Sequence, residues 1–238
     1  MMIHNLVETH CHILPGIDDG APDVQTSLAM IKKLQEQGAK SIILTPHYYS
    51  DSISLDDFLA KRDKAFRILQ SELPPDSPQL IPAAEVYISK YLFNYDNLDR
   101  LCIANSKYVL IEHPFSSPFS QEIYDRLLNL NYEYGIKPIL AHIERYAALM
   151  EDQYLLDEYI DMGCLVQVNI SSFTDSPRSV RKKLFKYLES GRIHLIGSDC
   201  HNLKSRPPIY EKGVKEIIKK CGSGAIDVLE SNANLLIK

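Results

Sequence analysis

Residues 165–201 of this chain read LVQVNISSFTDSPRSVRKKLFKYLESGRIHLIGSDCH. Two short apolar runs, at 165–168 and 193–196, stand on either side of a longer stretch in which Val180, Leu184 and Leu188 recur at a spacing of four. Short runs rich in Ile, Leu and Val are typical of buried parallel strands, and apolar residues three or four apart predict an amphipathic helix. The stretch therefore predicts a strand, a helix that ends at Gly191, and a second strand.

The same alternation runs along the whole chain. Further apolar runs occur at 6–7, 41–44, 79–84, 108–111 and 138–141, and helical patterns occur at 24–34, 55–69, 123–130, 155–160 and 214–218. Seven strand–helix units in series predict an α/β protein, a β/α barrel that is distorted or short of the usual eight units. The alternative is an open doubly wound sheet, but no GxGxxG segment follows the first strand. We expect a single domain over residues 1–238, because the alternation continues through the proline-rich segment 74–82.

The charge and composition exclude several classes of protein. The chain has 26 Lys and Arg against 31 Asp and Glu, a formal net charge of -5. Nucleic-acid binders carry a basic excess, so we expect no nucleic-acid partner. No apolar run approaches the roughly 20 residues that cross a bilayer, and residues 1–8 do not resemble a signal peptide, so we expect no membrane insertion. Five cysteines without paired spacing suit a reducing compartment, which favours a cytoplasmic protein.

Side chains able to bind a metal follow six of the seven predicted strands. In β/α barrels the carboxyl ends of the strands carry the active site, so these side chains are expected on one rim. Each has a simpler explanation when taken alone: a lone His47 is more often a loop residue, and Glu85 or Glu112 can cap a helix. Their recurrence on one rim predicts a metal site. The candidates are His10, His12, Asp18 or Asp19, His47, Glu85, Glu112, His142, Asp199 and His201.

Two of the candidate segments have a spacing that favours shared ligation. In an extended segment, residues two apart point the same way, so His10 and His12 can reach one ion, and Asp199 and His201 repeat the arrangement. Mixed imidazole and carboxylate ligands without thiolate suit Mn, Fe or Zn. About ten candidate ligands exceed the coordination number of one ion, which predicts two or three divalent metal ions.

Two arginines are expected at the same rim. Arg145 and Arg206 follow the fifth and seventh predicted strands, and a guanidinium recognises phosphate by bidentate hydrogen bonds. Alternatively, Arg145 pairs with Glu144, and Arg206 is a solvated loop residue before Pro207. Beside a metal cluster, we favour phosphate contact for both, and therefore the hydrolysis of a phosphate ester.

Five segments, HCHILP (10–15), DDG (18–20), TPH (45–47), AHIER (141–145) and SDCHN (198–202), occur in this order. Together they resemble the PHP (polymerase and histidinol phosphatase) superfamily, and more narrowly its bacterial protein-tyrosine phosphatases linked to capsule and exopolysaccharide synthesis. The likeness runs from about residue 8 to residue 206. It implies a distorted (β/α)7 barrel of the PHP type, with a three-metal site, usually manganese, at the carboxyl ends of the strands.

The resemblance also implies a division of the ligands. One ion would take His10, His12, Glu85 and Asp199; a second would share Glu85 and take Glu112 and His142; a third would take Asp19, His47 and His201. Arg145 and Arg206 match the family's phosphate-binding arginines. Asp18 stays open as the alternative to Asp19. Two positions depart from the pattern: Glu8 stands where relatives often have Asp, and His113 follows Glu112 where Phe is common, so Glu8 is expected behind the ligands and His113 adds or replaces a ligand.

The function that the resemblance implies is hydrolysis of phosphotyrosine by a metal-bridging hydroxide. The implied partner is a tyrosine-phosphorylated protein, the tail of a bacterial tyrosine kinase that controls polysaccharide export. Aromatic residues near the predicted rim either flank the phosphotyrosine ring or pack against neighbouring loops. They are Tyr48, Tyr49, Phe115 and Phe173.

Three alternatives stay open at this point. One is hydrolysis of a small molecule such as histidinol phosphate, and another is a metal-bound scaffold that binds phosphorylated tails without turnover. The third is thiol chemistry, because Cys200 and Arg206 have the C-x5-R spacing of thiol-based tyrosine phosphatases. The loop between them has no glycine to form a phosphate cradle, which disfavours the third.

Overall fold

A computed structural model describes residues 5–115 and 119–238, and strands and helices alternate through them. The strands pair in parallel throughout this part of the chain. They are β1 (Leu6–Glu8), β2 (Ala39–Leu44), β3 (His47–Tyr48), β4 (Gln79–Pro82), β5 (Glu85–Tyr87), β6 (Tyr108–Glu112), β7 (Lys137–Leu140), β8 (Leu165–Asn169) and β9 (Leu195–Gly197). The predicted α/β fold with a curled parallel sheet is confirmed.

Two of the predicted strands are each interrupted. The run 41–44 continues beyond Pro46 as β3, and the run 79–84 divides into β4 and β5. Proline has no N–H to give to a sheet ladder, so the ladder breaks where Pro46 lies. Backbone hydrogen bonds carry the pairing across the break: the N–H of Ala83 donates to the Leu44 carbonyl at 2.9 Å, and that of Glu85 to the Pro46 carbonyl at 3.0 Å.

The curled sheet is closed where the first and last strands meet. The strand order is β1-β2-β4 in one part and β3-β5-β6-β7-β8-β9 in the other. Just beyond β1 and β9, Cys11 and Cys200 form a parallel bridge. The N–H of His12 donates to the Cys200 carbonyl at 2.9 Å, and that of Asp199 to the His10 carbonyl at 2.8 Å. This seam makes the sheet a distorted barrel.

Helices surround the sheet in the described residues. The α-helices are α1 (Val24–Gln35), α2 (Leu55–Ser71), α3 (Gln121–Tyr132), α4 (Ala147–Glu151), α5 (Gln153–Asp161), α6 (Ser172–Asp175), α7 (Arg178–Glu189), α8 (Glu211–Cys221) and α9 (Gly224–Leu235), with short 3-10 turns at Lys90–Asn94, Asp99–Leu101 and Ile143–Arg145. The helical patterns of the sequence are all confirmed. The sequence did not predict α9, because exposed Val228 and Leu235 blur its apolar face.

Local capping fixes where the first two helices begin. Asp23 accepts a hydrogen bond from the N–H of Thr26 at 2.8 Å, and Ser54 from that of Asp57 at 3.2 Å. Such caps satisfy N–H groups that have no partner within the helix. They also fix the end of each loop that leads from the rim of the barrel into the helix.

The core is built from the strands and the inner faces of the helices. Besides the main apolar cluster there is a smaller one, which contains Val7, Ile43 and Leu195 from the strands together with Ala233 from α9 and Leu236 just after it. Helix α9 therefore packs over the seam, at the end opposite the rim. No helix in the described residues is long and apolar enough to cross a membrane.

Gly197, in β9, lies at the tightest point of the seam. A Cβ atom added there would lie 2.6 Å from the Cβ of His10, closer than side chains can approach. We therefore expect Gly197→Ala to lower the free energy of unfolding by about 1–3 kcal/mol, the usual cost of overpacking. Denaturant unfolding measures this, with Gly224→Ala as the control, since that added Cβ meets nothing within 4 Å. Equal stability of the two variants would contradict the expectation.

Candidate metal centre

The strand ends bring the predicted metal ligands together on one rim. His10 and His12 follow β1, His47 begins β3, Glu85 begins β5, Glu112 ends β6, His142 follows β7, and Asp199 and His201 follow β9; Asp19 lies in the loop before α1. Most of these side chains are buried, while Asp19 is exposed and His47 is half-buried. Buried imidazoles and carboxylates in one place are costly unless they pair or bind metal.

Glu85 is the centre of this cluster. Its carboxylate contacts the imidazoles on either side of it: His10 Nε2 at 3.3 Å, His12 Nε2 at 3.3 Å, His47 Nδ1 at 3.0 Å and His142 Nε2 at 2.9 Å. His10 Nε2 and His12 Nε2 also face each other at 3.3 Å. Nitrogen atoms and carboxylate oxygens that converge in this way have the geometry of a shared ligand set.

Asp199 joins the cluster to the two predicted arginines. Its Oδ1 lies 3.5 Å from His10 Nε2 and 3.5 Å from His12 Nε2. Arg145 Nη2 donates to Oδ2 at 2.6 Å and Arg206 Nη2 to Oδ1 at 2.7 Å. Both guanidinium groups thus stand at the edge of the cluster and are about one-third exposed, at 36% and 35%. The alternative pairing of Arg145 with Glu144 is absent among the ion pairs of the described residues.

Several groups of these residues have ligand atoms within 4.8 Å of one another. The groups are His12, Asp19, His47 and His201; His10, His12 and Glu85; His10, His142 and Asp199; and His47, Glu85 and Glu112. The implied division puts His142 with Glu85 and Glu112: His142 Nε2 lies 2.9 Å from Glu85 Oε1 and 3.7 Å from Glu112 Oε1. His47 Nδ1 lies 3.8 Å from Glu112 Oε2 as well. Together the groups contain every metal ligand expected from the sequence.

The neighbours Asp18 and Asp19 have different surroundings. Asp18 Oδ2 lies 2.8 Å from His12 Nδ1 and accepts the N–H of His47 at 3.1 Å. Burial alone would raise the pKa of Asp18, but the hydrogen bond and charge of His12 lower it to about 2. Asp19 instead faces His201 Nε2 at 3.3 Å and His47 Nε2 at 3.6 Å. Asp18 therefore orients an imidazole from behind, and Asp19 is the member of the pair that faces the cluster.

The charges of the cluster shift its proton affinities in opposite directions. Burial would raise the pKa of Glu85, but the charge of His10 and hydrogen bonds from the imidazoles hold it well below its usual range. Burial and the charge of Glu85 raise the pKa of Glu112 to about 7. Burial and the charge of His12 lower the pKa of His201 to about 4. Neighbouring groups with divergent pKa values are a mark of functional sites.

The donor set fits divalent metal ions. Among the described residues, His47 Nδ1, Glu85 Oε2 and His201 Nε2 are buried and lie against neighbouring imidazoles or carboxylates, yet none of them makes a hydrogen bond. Buried polar atoms without a hydrogen bond are rare and need an explanation, and these three belong to residues of the ligand groups. Imidazole and carboxylate without thiolate suit Mn, Fe or Zn.

Two of the predicted ligands are held in backbone conformations that favour glycine. His142 has φ 34° and Asp199 has φ 52°, which costs of order 1–3 kcal/mol at each position. Gln167, on β8, supports the first: its Oε1 accepts the N–H of His142 at 2.7 Å and lies 3.3 Å from His10 Nδ1. Asn169 supports the second, since its Nδ2 donates to Asp199 Oδ2 at 2.8 Å.

Sequence reasoning missed the role of these β8 residues. Gln167 and Asn169 are polar residues two apart on an otherwise apolar strand, which is the signal that identifies them. It also missed Tyr210. The Tyr210 hydroxyl donates to Glu8 Oε1 at 2.9 Å, and the same oxygen accepts the N–H groups of His10 and Ser198 at 3.0 Å. Glu8 therefore ties β1 to β9 behind the ligands, the position expected for it.

The surroundings of His113 do not favour metal binding, and those of Cys200 do not favour a role as nucleophile. His113 Nδ1 contacts the Pro114 carbonyl at 2.7 Å, and its ring stacks on Phe119 at 4.1 Å. His113 is in none of the ligand groups of the described residues. Cys200 is completely buried, at 0% exposure, within the apolar core. A nucleophile must reach its substrate, so this burial disfavours thiol chemistry.

The rim aromatics divide into two kinds. Tyr48 and Phe173 are completely buried, against Phe58 and Phe185 respectively. Tyr49 and Phe115 are exposed beside the cluster. The Tyr49 ring lies 5.3 Å from that of His47, and the Phe115 ring lies 5.5 Å from that of His142. Only the second pair is available to a ligand.

Comparison with known proteins agrees with this geometry. A family model described as capsular polysaccharide synthesis, CpsB/CapC, matches residues 6–238. The tyrosine-protein phosphatase CpsB of Streptococcus pneumoniae is 30% identical over 231 residues, 92% of each chain. The tyrosine-protein phosphatase YwqE of Bacillus subtilis (strain 168) is 29% identical over 239 residues, 98% of this chain and 92% of its own.

A solved structure is similar over nearly the whole chain. It is described as that of YwqE from Bacillus subtilis and CpsB from Streptococcus pneumoniae, unique metal-dependent tyrosine phosphatases. The TM-score is 0.80 at 27% identity, and the match covers 98% of this chain and 94% of the other. A β-aspartyl dipeptidase from Fervidobacterium islandicum AW-1 has a TM-score of 0.55 at 12% identity, which is likeness of fold alone.

Proposed function

This chain belongs to the CpsB/CapC family of capsular polysaccharide synthesis, and from that membership we propose that it is a metal-dependent protein-tyrosine phosphatase. The observation that carries the proposal is one rim of converging imidazoles and carboxylates with Arg145 and Arg206 at its edge. A cluster of metal ligands beside anion-binding arginines suits the hydrolysis of phosphate esters. The names of the similar phosphatases support phosphotyrosine as the ester.

We propose that the cluster holds three divalent ions, preferably manganese. The proposed ligand sets are those that the family resemblance implies: His10, His12, Glu85 and Asp199; Glu85, Glu112 and His142; and Asp19, His47 and His201. Each of these side chains belongs to at least one group of converging ligand atoms. Bound ions of this kind lower the pKa of a coordinated water and neutralise charge on phosphoryl oxygens. Elemental analysis of the protein purified without added metal identifies the ion, and fewer than three ions per chain after saturation with that ion would overturn the three-ion assignment.

Arg145 and Arg206 bind the phosphate of the substrate. A guanidinium carries five N–H donors, and the contact with Asp199 uses one nitrogen of each. The remaining donors are available to the non-bridging oxygens of a phosphate, to which arginine binds in a bidentate manner. Asp199 holds the two groups beside each other before substrate arrives, which avoids reorganisation during the reaction.

The leaving group needs little help from the protein. The pKa of a tyrosine hydroxyl is about 10, so the phenolate departs more readily than an alkoxide would. The chain's contribution is then to hold the phosphate and to stabilise the charge that develops on its oxygens. Tyr49 and Phe115 line the approach to the cluster.

The physiological substrate is, in this proposal, the tyrosine-phosphorylated tail of a bacterial tyrosine kinase, in the cytoplasm. The family's connection with capsular polysaccharide synthesis supports that partner, and the free cysteines suit a reducing compartment. We propose that the chain acts as one domain over residues 1–238. Hydrolysis of a phosphotyrosine peptide and of histidinol phosphate by the manganese-loaded protein tests the substrate, and a preference for histidinol phosphate would overturn it.

Arg206→Ala is expected to reduce kcat/KM for a phosphotyrosine peptide roughly a hundredfold, the usual effect of losing one donor to a transition-state oxyanion. Metal content should stay at the wild-type level, because Arg206 is not a metal ligand. The matched control is Lys204→Ala, which removes an exposed cation from the same loop and should leave kcat/KM within about twofold. Unchanged turnover in Arg206→Ala would remove Arg206 from the phosphate site.

A further inference from the structure

A cavity of about 350 Å³ opens beside His47 and Asp19. Its apolar walls are Ile17, Tyr49, Ile53 and Phe58. Pockets that are mostly apolar, with a few polar groups at one edge, are typical of small-ligand sites. In this cavity the polar lining consists of Asp18, Asp19 and His47 at the metal centre, together with Ser52 and Lys61.

A second cavity of about 190 Å³, on the arginine side of the cluster, has a different chemical character. Arg145, Asp199 and Arg206 form one wall, and Ser171, Thr174 and Lys212 are among the others. Hydroxyl and charged groups suit a phosphate or a peptide backbone better than an aromatic ring. Of these two cavities, the one beside His47 is the apolar side of the metal centre.

The walls of the apolar cavity are held in place by local contacts. The Tyr49 ring lies between the rings of His47, at 5.3 Å, and Tyr87, at 5.5 Å. The N–H of Ile53 donates to the Tyr49 carbonyl at 3.1 Å. This hydrogen bond closes the turn that carries the wall residues Tyr49 and Ile53. On the facing side, Lys61 Nζ donates to the Ile17 carbonyl at 2.8 Å. The cavity is therefore formed before a ligand enters, which lowers the entropic cost of binding.

We propose that this cavity, defined by Ile17, Tyr49, Ile53 and Phe58, is the aryl subsite of the metal centre and takes the phenyl ring of phosphotyrosine. The inference rests on the proposed function. A phosphate held among the metal ligands and the arginines would have the arginines on one side and the apolar cavity on the other, next to His47 and Asp19. The apolar walls then bury the ring, and Tyr49 offers an aromatic face or edge to it.

Binding of two phosphonates tests the subsite without any need for turnover. Phenylphosphonate carries the ring and methylphosphonate does not, and neither is a phosphate ester that the enzyme can hydrolyse. Isothermal titration of the manganese-loaded wild-type protein should give a Kd for phenylphosphonate that is at least about tenfold lower than the Kd for methylphosphonate. Ile53→Ser and Ile17→Ser should each reduce that preference to about threefold or less, through a weaker affinity for phenylphosphonate.

The matched control is Ile68→Ser, which makes the same change at an exposed position on α2 and should keep the wild-type preference. Two positions are tested so that a folding defect in one leaves the other informative, and thermal unfolding identifies such a defect. No preference for phenylphosphonate in the wild type, or an unchanged preference in both variants, would overturn the subsite. A phenyl preference in a protein that does not hydrolyse phosphotyrosine peptide would keep the subsite and overturn the proposed function.

Discussion

Removal of divalent metal is expected to reduce hydrolysis of a phosphotyrosine peptide by at least about a thousandfold, and added Mn²⁺ is expected to restore it. The groups next to the arginines are the proposed metal ligands, and in the proposed mechanism the nucleophile is a water whose pKa a bound ion would lower. Arginines alone retain phosphate binding without supplying a nucleophile. The measurement is the rate before chelation, after chelation and after reloading, with the metal content of each sample determined by mass spectrometry.

The same assay in Cys200→Ser separates the metal mechanism from the thiol alternative. Cys200 is completely buried in the core, and we expect its variant to keep activity within about threefold, with the same dependence on metal. Activity that survives verified removal of metal would contradict the proposed mechanism. So would an inactive Cys200→Ser protein with a full complement of metal and an unchanged thermal unfolding temperature.

Glu85→Gln is expected to cause the largest loss of any single substitution, roughly a thousandfold in kcat/KM, together with a loss of bound metal. The carboxylate of Glu85 lies between His10 and His142, at 3.3 Å and 2.9 Å. Gln has nearly the same size, so the substitution removes the negative charge without opening a cavity. A neutral amide is a poorer ligand for a divalent ion than a carboxylate.

Glu133→Gln is the matched control, because Glu133 is exposed at the end of α3, away from the rim. It should retain both activity and metal. Metal content per chain and kcat/KM are measured for both variants after identical loading with Mn²⁺. A Glu85→Gln protein with the wild-type metal content and full activity would show that the centre of the cluster lies elsewhere.

Much of the fold follows from local sequence patterns. Runs such as 108–111 and 138–141 are apolar because the strands are buried on both faces, and the amphipathic spacing between them reports the helices. The place of the ligands follows from the same patterns, since a residue directly after a parallel strand lies at the carboxyl edge of the sheet. That is why residues read from the strand ends, together with Asp19 in the loop after β1, include every member of the ligand groups.

What the sequence did not predict depends on distant parts of the chain. Tyr48 and Tyr49 are neighbours, but Tyr48 is buried against Phe58 and Tyr49 faces the cavity; the register of β3 decides which is which. The approach of His142 to Asp199 as well as to Glu112 depends on how the barrel curls. Neither relation is encoded in the residues immediately around these positions.

The seam between the first and last strands has a consequence for the biogenesis of the enzyme. His10 and His12 are synthesised early, whereas Asp199 and His201 emerge from the ribosome almost two hundred residues later. The two pairs meet only after the backbone at Cys11 pairs with the backbone at Cys200. Contacts of such high sequence separation form late, because the entropy of closing the loop is lost before they contribute. A partly translated chain therefore lacks the complete centre, so phosphatase activity cannot appear before the barrel is finished. Metal that binds once the barrel is complete stabilises the folded state, because the unfolded chain lacks the assembled site.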